Sequence, residues 1–539
     1  MKRARLLAPA RIIYHTLMLG DKGDLVSWSI FTVFFSAYLG YSLGLVKVFG
    51  STIIYEYTRF SHDNIMHLYI ARVTLDNGKY TRLANVGTVW LPLFHLVLAP
   101  FTLVNALYVT GLSAAIINSV LVATTASAIY MISGGIEGLV SATLFGVSMY
   151  SFIHASSSYM VPLGQFLGFA STYYTYRYVV NRSLKDLTKA TLFVFLATLA
   201  RYEAWLIALA LTIVLVIMEH GRKWIITSFI PLIWLGVLGW LFYNWIIFGN
   251  PVEFVYAPYL GASGYYSYIA HLLLNPSSMH VKLIIHIVIQ LAGAATLLLV
   301  PLGLIYIAIE KQYSIQQRAA LLVTLLSPLT FLVIANSHLA ILDLPLYFYF
   351  VTPWIYTIAA HGFKWVYKIK TRYLSVTILT IMALIYVASA ASTNLAEYHS
   401  LIAELNNAKT LYFKEKMFAN NIRLEIERLG GYILAPYTTV SSTISVLAGL
   451  SPSLILDTYD NGLYVNASKA PWANNVKIVI IFEPEKFKSM RPYLYALLGQ
   501  YHFNIQFYAN NTWRYIFMEY FVQETSFDNC CIVFVRIGK

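Results

Sequence analysis

The chain has 539 residues, of which 58% are hydrophobic and only 11% are charged, and its formal net charge at pH 7 is +13. A soluble globular protein carries about 25% charged residues, so this composition excludes an ordinary soluble protein and indicates an integral membrane protein. The basic residues fall in short clusters between apolar runs, which is typical of a polytopic membrane protein and not of a nucleic-acid-binding protein.

The first hydrophobic segment, Val26 to Phe49, follows a basic N-terminal stretch that contains Lys2, Arg3 and Arg5. It is longer than the apolar core of a secretory signal, and no small-residue cleavage site follows it. We therefore expect a retained first span with its basic end in the cytoplasm, followed by a first exterior loop over residues 51–109.

Further apolar segments bring the predicted number of spans to about eleven. They lie near 110–132, 138–156, 159–179, 188–200, 204–218, 225–247, 281–307, 319–336, 344–362 and 373–392. Because this number is odd and the basic N-terminus is predicted in the cytoplasm, the C-terminus is predicted outside, in a multi-pass protein of the cell membrane. The loops predicted to be cytoplasmic are basic, as the positive-inside rule requires: they contain Arg177, Arg182, Lys185, Lys189, Arg222, Lys223, Lys311, Arg318, Lys364, Lys368, Lys370 and Arg372.

The last part of the chain, 394–539, has turn-bounded segments in place of spans, so we predict a soluble α/β domain outside the membrane and a transmembrane domain over 1–393. Residues 396–428 predict one or two amphipathic helices that end at Gly430 and Gly431. The segments GYILAP, VKIVIIFEP and CIVFVRIG predict short buried strands.

Several catalytic and binding motifs are missing from the sequence. There is no phosphate-binding GxxxxGK[ST] loop, no GxGxxG in a strand-turn-helix context, no HExxH and no paired CxxC. A DxD pair for a metal-held nucleotide sugar is also missing. Two classes therefore remain open: a transporter, or an enzyme whose substrates come from the membrane.

The first exterior loop carries a resemblance to a known enzyme superfamily. The run FSHDNIMHLYIARVTLDNGKYT, followed by VWLPLFHLVLAPF, resembles the first exterior loop of GT-C glycosyltransferases. That superfamily includes protein O-mannosyltransferases, bacterial aminoarabinose transferases and oligosaccharyltransferases. Asp63, His67 and Arg72 fall in the register of its loop motif, with Trp90 and Pro92 beyond.

Two later stretches extend the resemblance. LARYEAWLIALAL, with Arg201, Tyr202 and Glu203, is similar to the end of a span in that superfamily, and YNWIIFGNPVEF resembles the exterior exit of a later span. The predicted layout, an exterior α/β domain after an odd number of spans, matches as well. The resemblance implies substrate-binding roles for Trp90, Arg201, Tyr202 and Glu203.

The sequence also departs from the superfamily at two places. Many members have a carboxylate before a proline in the next exterior loop, but Val161 precedes Pro162 here, so a divalent metal ion is doubtful and no other cofactor is implied. Many also have an Arg-Tyr pair near the start of a late span. Leu346 stands in place of that arginine, so one phosphate or sugar contact is expected to be missing. Tyr347, with His338 or Asp343 as further candidates, is left nearby.

Moving a sugar from a lipid phosphate to a hydroxyl requires a base near the hydroxyl and a cation near the departing phosphate. Asp63 is the candidate base, with helix N-capping as the alternative. His67, four residues on and on the same helical face, could orient the acceptor or the phosphate, or could be structural. Arg201 suits a phosphate, with pairing to Glu203 or snorkelling as alternatives.

Two further groups of the first loop are weighed in the same way. Arg72 lies on the opposite helical face from Asp63, which favours a role in the loop fold or at a lipid headgroup. Glu56 is a reserve carboxylate for a base or for a metal ion.

The resemblance implies a glycosyltransferase that uses a polyprenyl-phosphate or dolichyl-phosphate sugar donor. The acceptor would be a protein, a lipid or a glycan at the outer face, and no nucleic acid is expected as a partner. The alternatives are a transporter or lipid flippase, and an inactive relative that acts as a binding subunit. The abundance of Ile, Val, Tyr and Leu with only two cysteines favours a thermophilic prokaryote or archaeon as the source.

Overall fold

The computed structural model describes residues 25–58, 63–75, 90–254, 288–289, 292–293, 296–330, 348–367, 372–435, 438–456, 461–482, 511–527 and 531–537. This part of the chain is mostly helical. The helices are α1 (Leu25–Phe49), α2 (Asn64–Leu75), α3 (Leu93–Thr102), α4 (Asn105–Thr110), α5 (Leu112–Ser133), α6 (Gly135–Val147), α7 (Met149–Ser156), α8 (Val161–Asn181), α9 (Leu184–Thr198), α10 (Ala204–Glu219), α11 (Lys223–Phe248), α12 (Thr296–Ile309), α13 (Ile315–Leu326), α14 (Thr352–Tyr367), α15 (Arg372–Leu429), α16 (Thr438–Ala448), α17 (Asn461–Lys469) and α18 (Asn511–Tyr520). The strands are β1 (Tyr432–Leu434), β2 (Ile455–Leu456), β3 (Val476–Phe482), β4 (Phe521–Phe527) and β5 (Cys531–Arg536).

The described residues form two compact units. The first unit contains the described residues within Met1–Thr52, Ala114–Tyr243 and Asn275–Glu404. The second contains those within Ile53–Ser113, Asn244–Leu274 and Leu405–Lys539. From Ile53 onward, the described residues of the predicted first exterior loop therefore belong to the same unit as the C-terminal α/β segments.

Three helices in the described part, α1, α5 and α11, are long and apolar enough to cross a membrane. Large apolar side chains of α11 remain on the surface: Leu232, Leu235, Leu238 and Phe242 are between 49% and 56% exposed. Apolar surface of this extent on a long helix is suited to contact with lipid. The protein is a helical membrane protein, as the sequence predicts; the number of about eleven spans and their orientation stay predictions.

The predicted span 138–156 is broken. Helices α6 and α7 meet at Ser148 with a bend of 59°. The Ser148 side chain accepts a hydrogen bond from the backbone N–H of Ser151, so it caps the start of α7. After α7 ends, the side-chain amide of Asn118 on α5 donates to the carbonyls of Ser157 and Tyr159, at 2.9 Å each. These bonds satisfy backbone groups that a buried non-helical segment would otherwise leave without partners.

Helices α12 and α14 cross at two glycines. A Cβ on Gly303 would lie 2.0 Å from the carbonyl oxygen of Ile358, and one on Gly362 would lie 2.2 Å from that of Leu299. Only glycine allows the two backbones to approach so closely, a common arrangement between membrane helices.

Helix α15 is longer than the sequence predicts. The predicted span 373–392 and the predicted amphipathic helices over 396–428 form one continuous helix of 58 residues. It ends where Gly430 and Gly431 adopt positive φ angles of 66° and 84°, a conformation that favours glycine.

The sheet of the second unit has the strand order β2-β1-β3-β5-β4. Strand β1 pairs in parallel with β2 and β3, while β5 is antiparallel to β3 and β4. Strands β1, β3 and β5 lie in the three segments predicted as strands, whereas β2 and β4 were not predicted. Leu434, Val479 and Phe534 of the sheet pack with Tyr464 of α17 and Phe517 of α18 in one buried core.

Candidate functional site

Helix α2 has two carboxylates at its amino-terminal end. Asp63 immediately precedes the helix, and its backbone carbonyl accepts a hydrogen bond of 3.0 Å from the N–H of His67. The carboxylate of Glu56, on the preceding 3₁₀ turn, accepts from the backbone N–H of Asn64 at 2.9 Å and of Ile65 at 3.4 Å. Both acidic residues are half-buried. They lie where the helix dipole stabilises negative charge.

The structure shows one capping contact that the sequence does not assign. The backbone of Asp63 occupies the N-cap position, as the alternative interpretation of that residue expects. Glu56, which was held in reserve for a base or a metal ion, is the side chain that bonds the first two helical amides. Its role in the fold is therefore capping, and the catalytic role of Asp63 stays a prediction.

The ring of His67 contacts a second histidine that the sequence analysis did not select. Nδ1 of His67 lies 2.9 Å from Nε2 of His95, and both side chains are buried. Burial lowers the pKa of His95 to about 3, so this ring is neutral at pH 7. Nδ1 of His95 has no hydrogen-bond partner within the described ranges. In the favoured tautomer, Nε2–H of His95 donates to Nδ1 of His67. Nδ1 of His95 is then an acceptor without a partner, and a buried acceptor in that state is less unfavourable than a buried N–H donor.

Aromatic rings enclose His67 on two further sides. Its ring centre lies 5.0 Å from that of Trp90 and 5.8 Å from that of Phe94, both in T-shaped contacts. The structure therefore brings two predicted site residues, His67 and Trp90, together. Because His67 is only 1% exposed, its ring positions α2 against α3 in this arrangement. The signal for His95 in the sequence was a single histidine in the otherwise apolar helix LFHLVLAPFT.

Arg72 lies in the last turn of α2 and contributes to the packing of the second unit. Its Nη1 donates to Oδ1 of Asn105 at 2.8 Å, and its guanidinium lies 4.3 Å from the ring centre of Tyr108. The hydroxyl of Tyr108 is 2.9 Å from Oγ of Ser445 on α16. These contacts belong to the loop fold, one of the two roles the sequence favours for Arg72, and its contact with a substrate stays a prediction.

The turn that carries Glu56 is held by helix α15. The hydroxyl of Tyr57 donates to Oε2 of Glu415 at 2.6 Å, and the Tyr57 ring lies 5.7 Å from that of Tyr412 in a T-shaped contact. Burial raises the pKa of Glu415, although the hydrogen bond from Tyr57 acts in the opposite direction. Burial and the neighbouring Glu415 carboxylate also raise the pKa of Tyr57. The amino-terminal end of α2 is therefore anchored to the C-terminal part of the chain.

The predicted phosphate ligand Arg201 lies in the first unit and is paired with a carboxylate. Its Nε donates to Oε2 of Glu203 at 3.0 Å, and its Nη2 donates to Oε1. The two side chains are 12% and 5% exposed. The hydroxyl of Tyr202 accepts from Nε1 of Trp240 at 3.2 Å. This ion pair is the alternative given for Arg201, and it occupies the Nε and Nη2 edge of the guanidinium.

The predicted contact Tyr347 lies outside the described residues, but a buried polar cluster surrounds Tyr349. The Tyr349 ring stacks on His154 at 4.2 Å between ring centres, and its hydroxyl lies 2.7 Å from Oγ of Ser151. The side-chain amide of Gln165 donates to the carbonyl of Tyr349 at 2.5 Å. The sequence analysis examined the run that contains His154 only for its missing carboxylate and did not predict this cluster.

Within the described ranges, no three His, Cys, Asp or Glu side chains are grouped so that they could hold a metal ion. Glu56, the reserve metal ligand, bonds backbone amides in this structure.

No protein-family model matches the chain, and no curated protein matches it. The resemblance to GT-C glycosyltransferases accordingly stays a prediction that depends on short motifs and on their order.

Proposed function

We propose that the protein is an inverting membrane glycosyltransferase of the GT-C type. It takes a sugar from a polyprenyl-phosphate or dolichyl-phosphate donor and transfers it to a protein, lipid or glycan acceptor at the outer face of the cell membrane. The observation that carries the proposal is the position of Asp63, a half-buried carboxylate at the amino-terminal end of α2. The order of the sequence motifs supports the reaction class, and the position of Asp63 supports its role as the catalytic base.

A catalytic base has to be held in place and has to be ionised. Helix α2 packs against α3 and α16, and the turn before it is bonded to Glu415. Helices that are fixed on several sides hold their end groups within the narrow range of geometry that catalysis requires. The positive end of the α2 dipole favours the ionised form of a carboxylate at Asp63.

The reaction that follows from these groups is a single displacement. The carboxylate of Asp63 takes the proton of the acceptor hydroxyl, and the hydroxyl oxygen forms a bond to the anomeric carbon of the sugar. The bond from that carbon to the phosphate oxygen breaks on the opposite face, and the phosphate leaves with the electron pair. The anomeric configuration is therefore inverted, and Asp63 later returns its proton to water.

The departing phosphate gains negative charge and requires a cation. In the proposal Arg201 supplies it, because its planar guanidinium matches two phosphate oxygens. The present partner of Arg201 is Glu203, so the donor phosphate displaces that carboxylate when it binds. Arg201 belongs to the first unit and Asp63 to the second.

The test is the transfer of radiolabelled sugar from a polyprenyl-phosphate donor by membranes that contain the wild type, Asp63→Asn or Glu56→Gln. General base catalysis typically contributes at least about 100-fold, so Asp63→Asn is expected to lose about that factor. Glu56→Gln is the matched control, because it changes a carboxylate at the same helix end whose observed role is capping. Equal transfer by the wild type and Asp63→Asn removes Asp63 as the base.

A transporter or lipid flippase is the second candidate, and one observation favours it. Broken helices with buried polar side chains are typical of transporter binding sites. The bend of 59° between α6 and α7, with His154 and Ser151 buried beside it, is such an arrangement. In vesicles, a fluorescent polyprenyl-phosphate lipid would cross the bilayer faster with this protein than without it. If transfer of sugar is also absent, the transporter is supported and the enzyme is not.

A further inference from the structure

A small cavity lies inside the first unit, and none of the residues proposed for glycosyl transfer lines it. It has a volume of about 120 Å³ and is lined by Tyr176, Tyr306, Ile307, Gln312, Tyr313, Leu321, Leu325, His361 and Lys364. A single water needs only about 10 to 15 Å³ of such space, so the cavity has room for several waters or one small polar group. It is formed by α8, α12, α13, α14 and the loop between α12 and α13, which the sequence predicts on the cytoplasmic side.

The close crossing of α12 and α14 shapes this cavity. Gly303 and Gly362 allow the two backbones to touch, and one turn further the ring of Tyr306 lies over that of His361, with their centres 6.0 Å apart and a 19° angle between their planes. Tyr176 closes another side, where its hydroxyl is 3.1 Å from that of Tyr313. The walls thus combine aromatic faces with hydroxyl groups.

The polar groups that line the cavity favour an anion. Lys364 brings a positive charge, and its ammonium donates to the carbonyl of Ser133. His361 is 7% exposed, and its Nδ1 has no hydrogen-bond partner within the described ranges. Among the described residues that line the cavity there is no carboxylate. The nearby Glu310 accepts from the backbone N–H of Gln312 at 3.5 Å.

We propose that this cavity binds the phosphate group of an anionic ligand. Lys364 supplies the charge, the Tyr176 and Tyr313 hydroxyls and the Gln312 amide supply hydrogen-bond donors, and Nδ1 of His361 gains a partner. The phosphate can come from the headgroup of an acidic phospholipid in the cytoplasmic leaflet or from a soluble phosphate. Basic pockets between membrane helices on this side are known to suit acidic headgroups. The site is independent of the glycosyltransferase proposal, because none of its groups takes part in the proposed transfer.

The test is calorimetric titration of the full chain in detergent with short-chain phosphatidylglycerol, short-chain phosphatidylcholine, inorganic phosphate and acetate. Saturable binding that is tightest for phosphatidylglycerol supports a lipid headgroup, whereas binding that is tightest for inorganic phosphate supports a soluble ligand. Absence of saturable phosphatidylglycerol and phosphate binding, or acetate binding as tight as phosphate binding, overturns the proposal.

Three variants assign the binding to this cavity. Lys364→Gln is expected to weaken binding about tenfold, because it removes the charged donor. Tyr313→Phe removes one hydroxyl without altering the packing of the ring, and a loss of about threefold is expected, so the proposal does not depend on the folding of one variant. Lys311→Gln is the control. Lys311 is exposed in the loop between α12 and α13, which also contains Tyr313, and it does not line the cavity. Unchanged binding in both test variants, or an equal loss in the control, contradicts the assignment.

Discussion

The carboxylate of Glu56 accepts a hydrogen bond of 2.9 Å from the backbone N–H of Asn64, the first residue of helix α2. Asp63, the proposed base, lies between these two residues in sequence and directly precedes the helix. The carboxylate that caps the helix and the carboxylate that is proposed to react are therefore different residues. This separation allows the two roles to be tested one at a time.

Removal of the cap should lower stability. Replacement of a capping side chain costs about 1 kcal/mol, so Glu56→Ala is expected to lower the free energy of unfolding by about that amount. The measurement is the midpoint of thermal unfolding in detergent. Glu427→Ala is the control: Glu427 is half exposed and pairs with Arg423 on the same face of α15, so a loss below about 0.5 kcal/mol is expected. Equal effects of the two changes would argue that Glu56 is not a cap.

The buried histidine pair should make stability depend on pH. The folded pKa of His95 is about 3, below the ordinary value of about 6.5, so the unfolded chain binds a proton between these values and the folded chain does not. The free energy of unfolding therefore keeps its full value above about pH 6.5. It falls by about 1.4 kcal/mol for each pH unit between about 6.5 and 3. His95→Gln should therefore lose less stability than the wild type between pH 6.5 and 4.5.

The control for that comparison is His220→Gln, because His220 is exposed at the end of α10. Its unfolding midpoints should follow those of the wild type across the same pH range. If the unfolding midpoints of the wild type and His95→Gln fall equally as the pH is lowered, the ring of His95 takes up a proton in the folded protein. That result would contradict the prediction.

The glycine crossing should tolerate no added methyl group. Gly303→Ala brings a Cβ within 2.0 Å of the Ile358 carbonyl oxygen, which forces the helices apart. Overpacking of this kind costs about 1 to 3 kcal/mol, which is expected as a lower thermal midpoint. Gly44→Ala on α1 is the control, because nothing lies within 4 Å of the added Cβ, and alanine is the better helix former there. Equal midpoints for the two variants would contradict the close crossing.

Variants of the Arg201 and Glu203 ion pair separate the effect of an unpaired charge on stability from the effect on sugar transfer. Glu203→Gln leaves a partly buried guanidinium without its carboxylate, at an expected cost of up to about 3 kcal/mol. The double change Arg201→Met and Glu203→Leu removes both charges and should fold almost as well as the wild type. Under the proposed function this double variant binds the donor phosphate weakly and loses sugar transfer. Full transfer activity in a stable double variant would exclude Arg201 as the phosphate ligand.

The sequence predicts the membrane class, three of the five strands and the helices from α8 to α11 to within a few residues. It does not predict the break at Ser148, because a hydropathy window averages over the segment and does not detect a capping hydroxyl. Nor does it predict α15 as one helix, although no glycine or proline occurs between Arg372 and Leu429 to interrupt it.

The site shows the same limit. The sequence places Asp63 and His67 one helical turn apart, and this spacing is correct because both belong to the same local segment. The contact of His67 with His95 joins residues that are 28 positions apart, so it depends on how α2 and α3 pack and not on local spacing. For the same reason the cap from Glu56, eight residues before Asn64, could not be assigned from the sequence.

The most direct test of the central claim follows both products of the reaction at once. Purified wild type and Asp63→Asn are each placed in vesicles with a peptide or lipid acceptor and either polyprenyl-phosphate mannose or polyprenyl-phosphate glucose. Mass spectrometry quantifies free polyprenyl phosphate and glycosylated acceptor. We expect the wild type to form the two products one to one with inversion at the anomeric carbon, and Asp63→Asn to form both at least about 100-fold more slowly. Equal rates for the two proteins would contradict Asp63 as the base, and the absence of both products with every donor would contradict the glycosyltransferase itself.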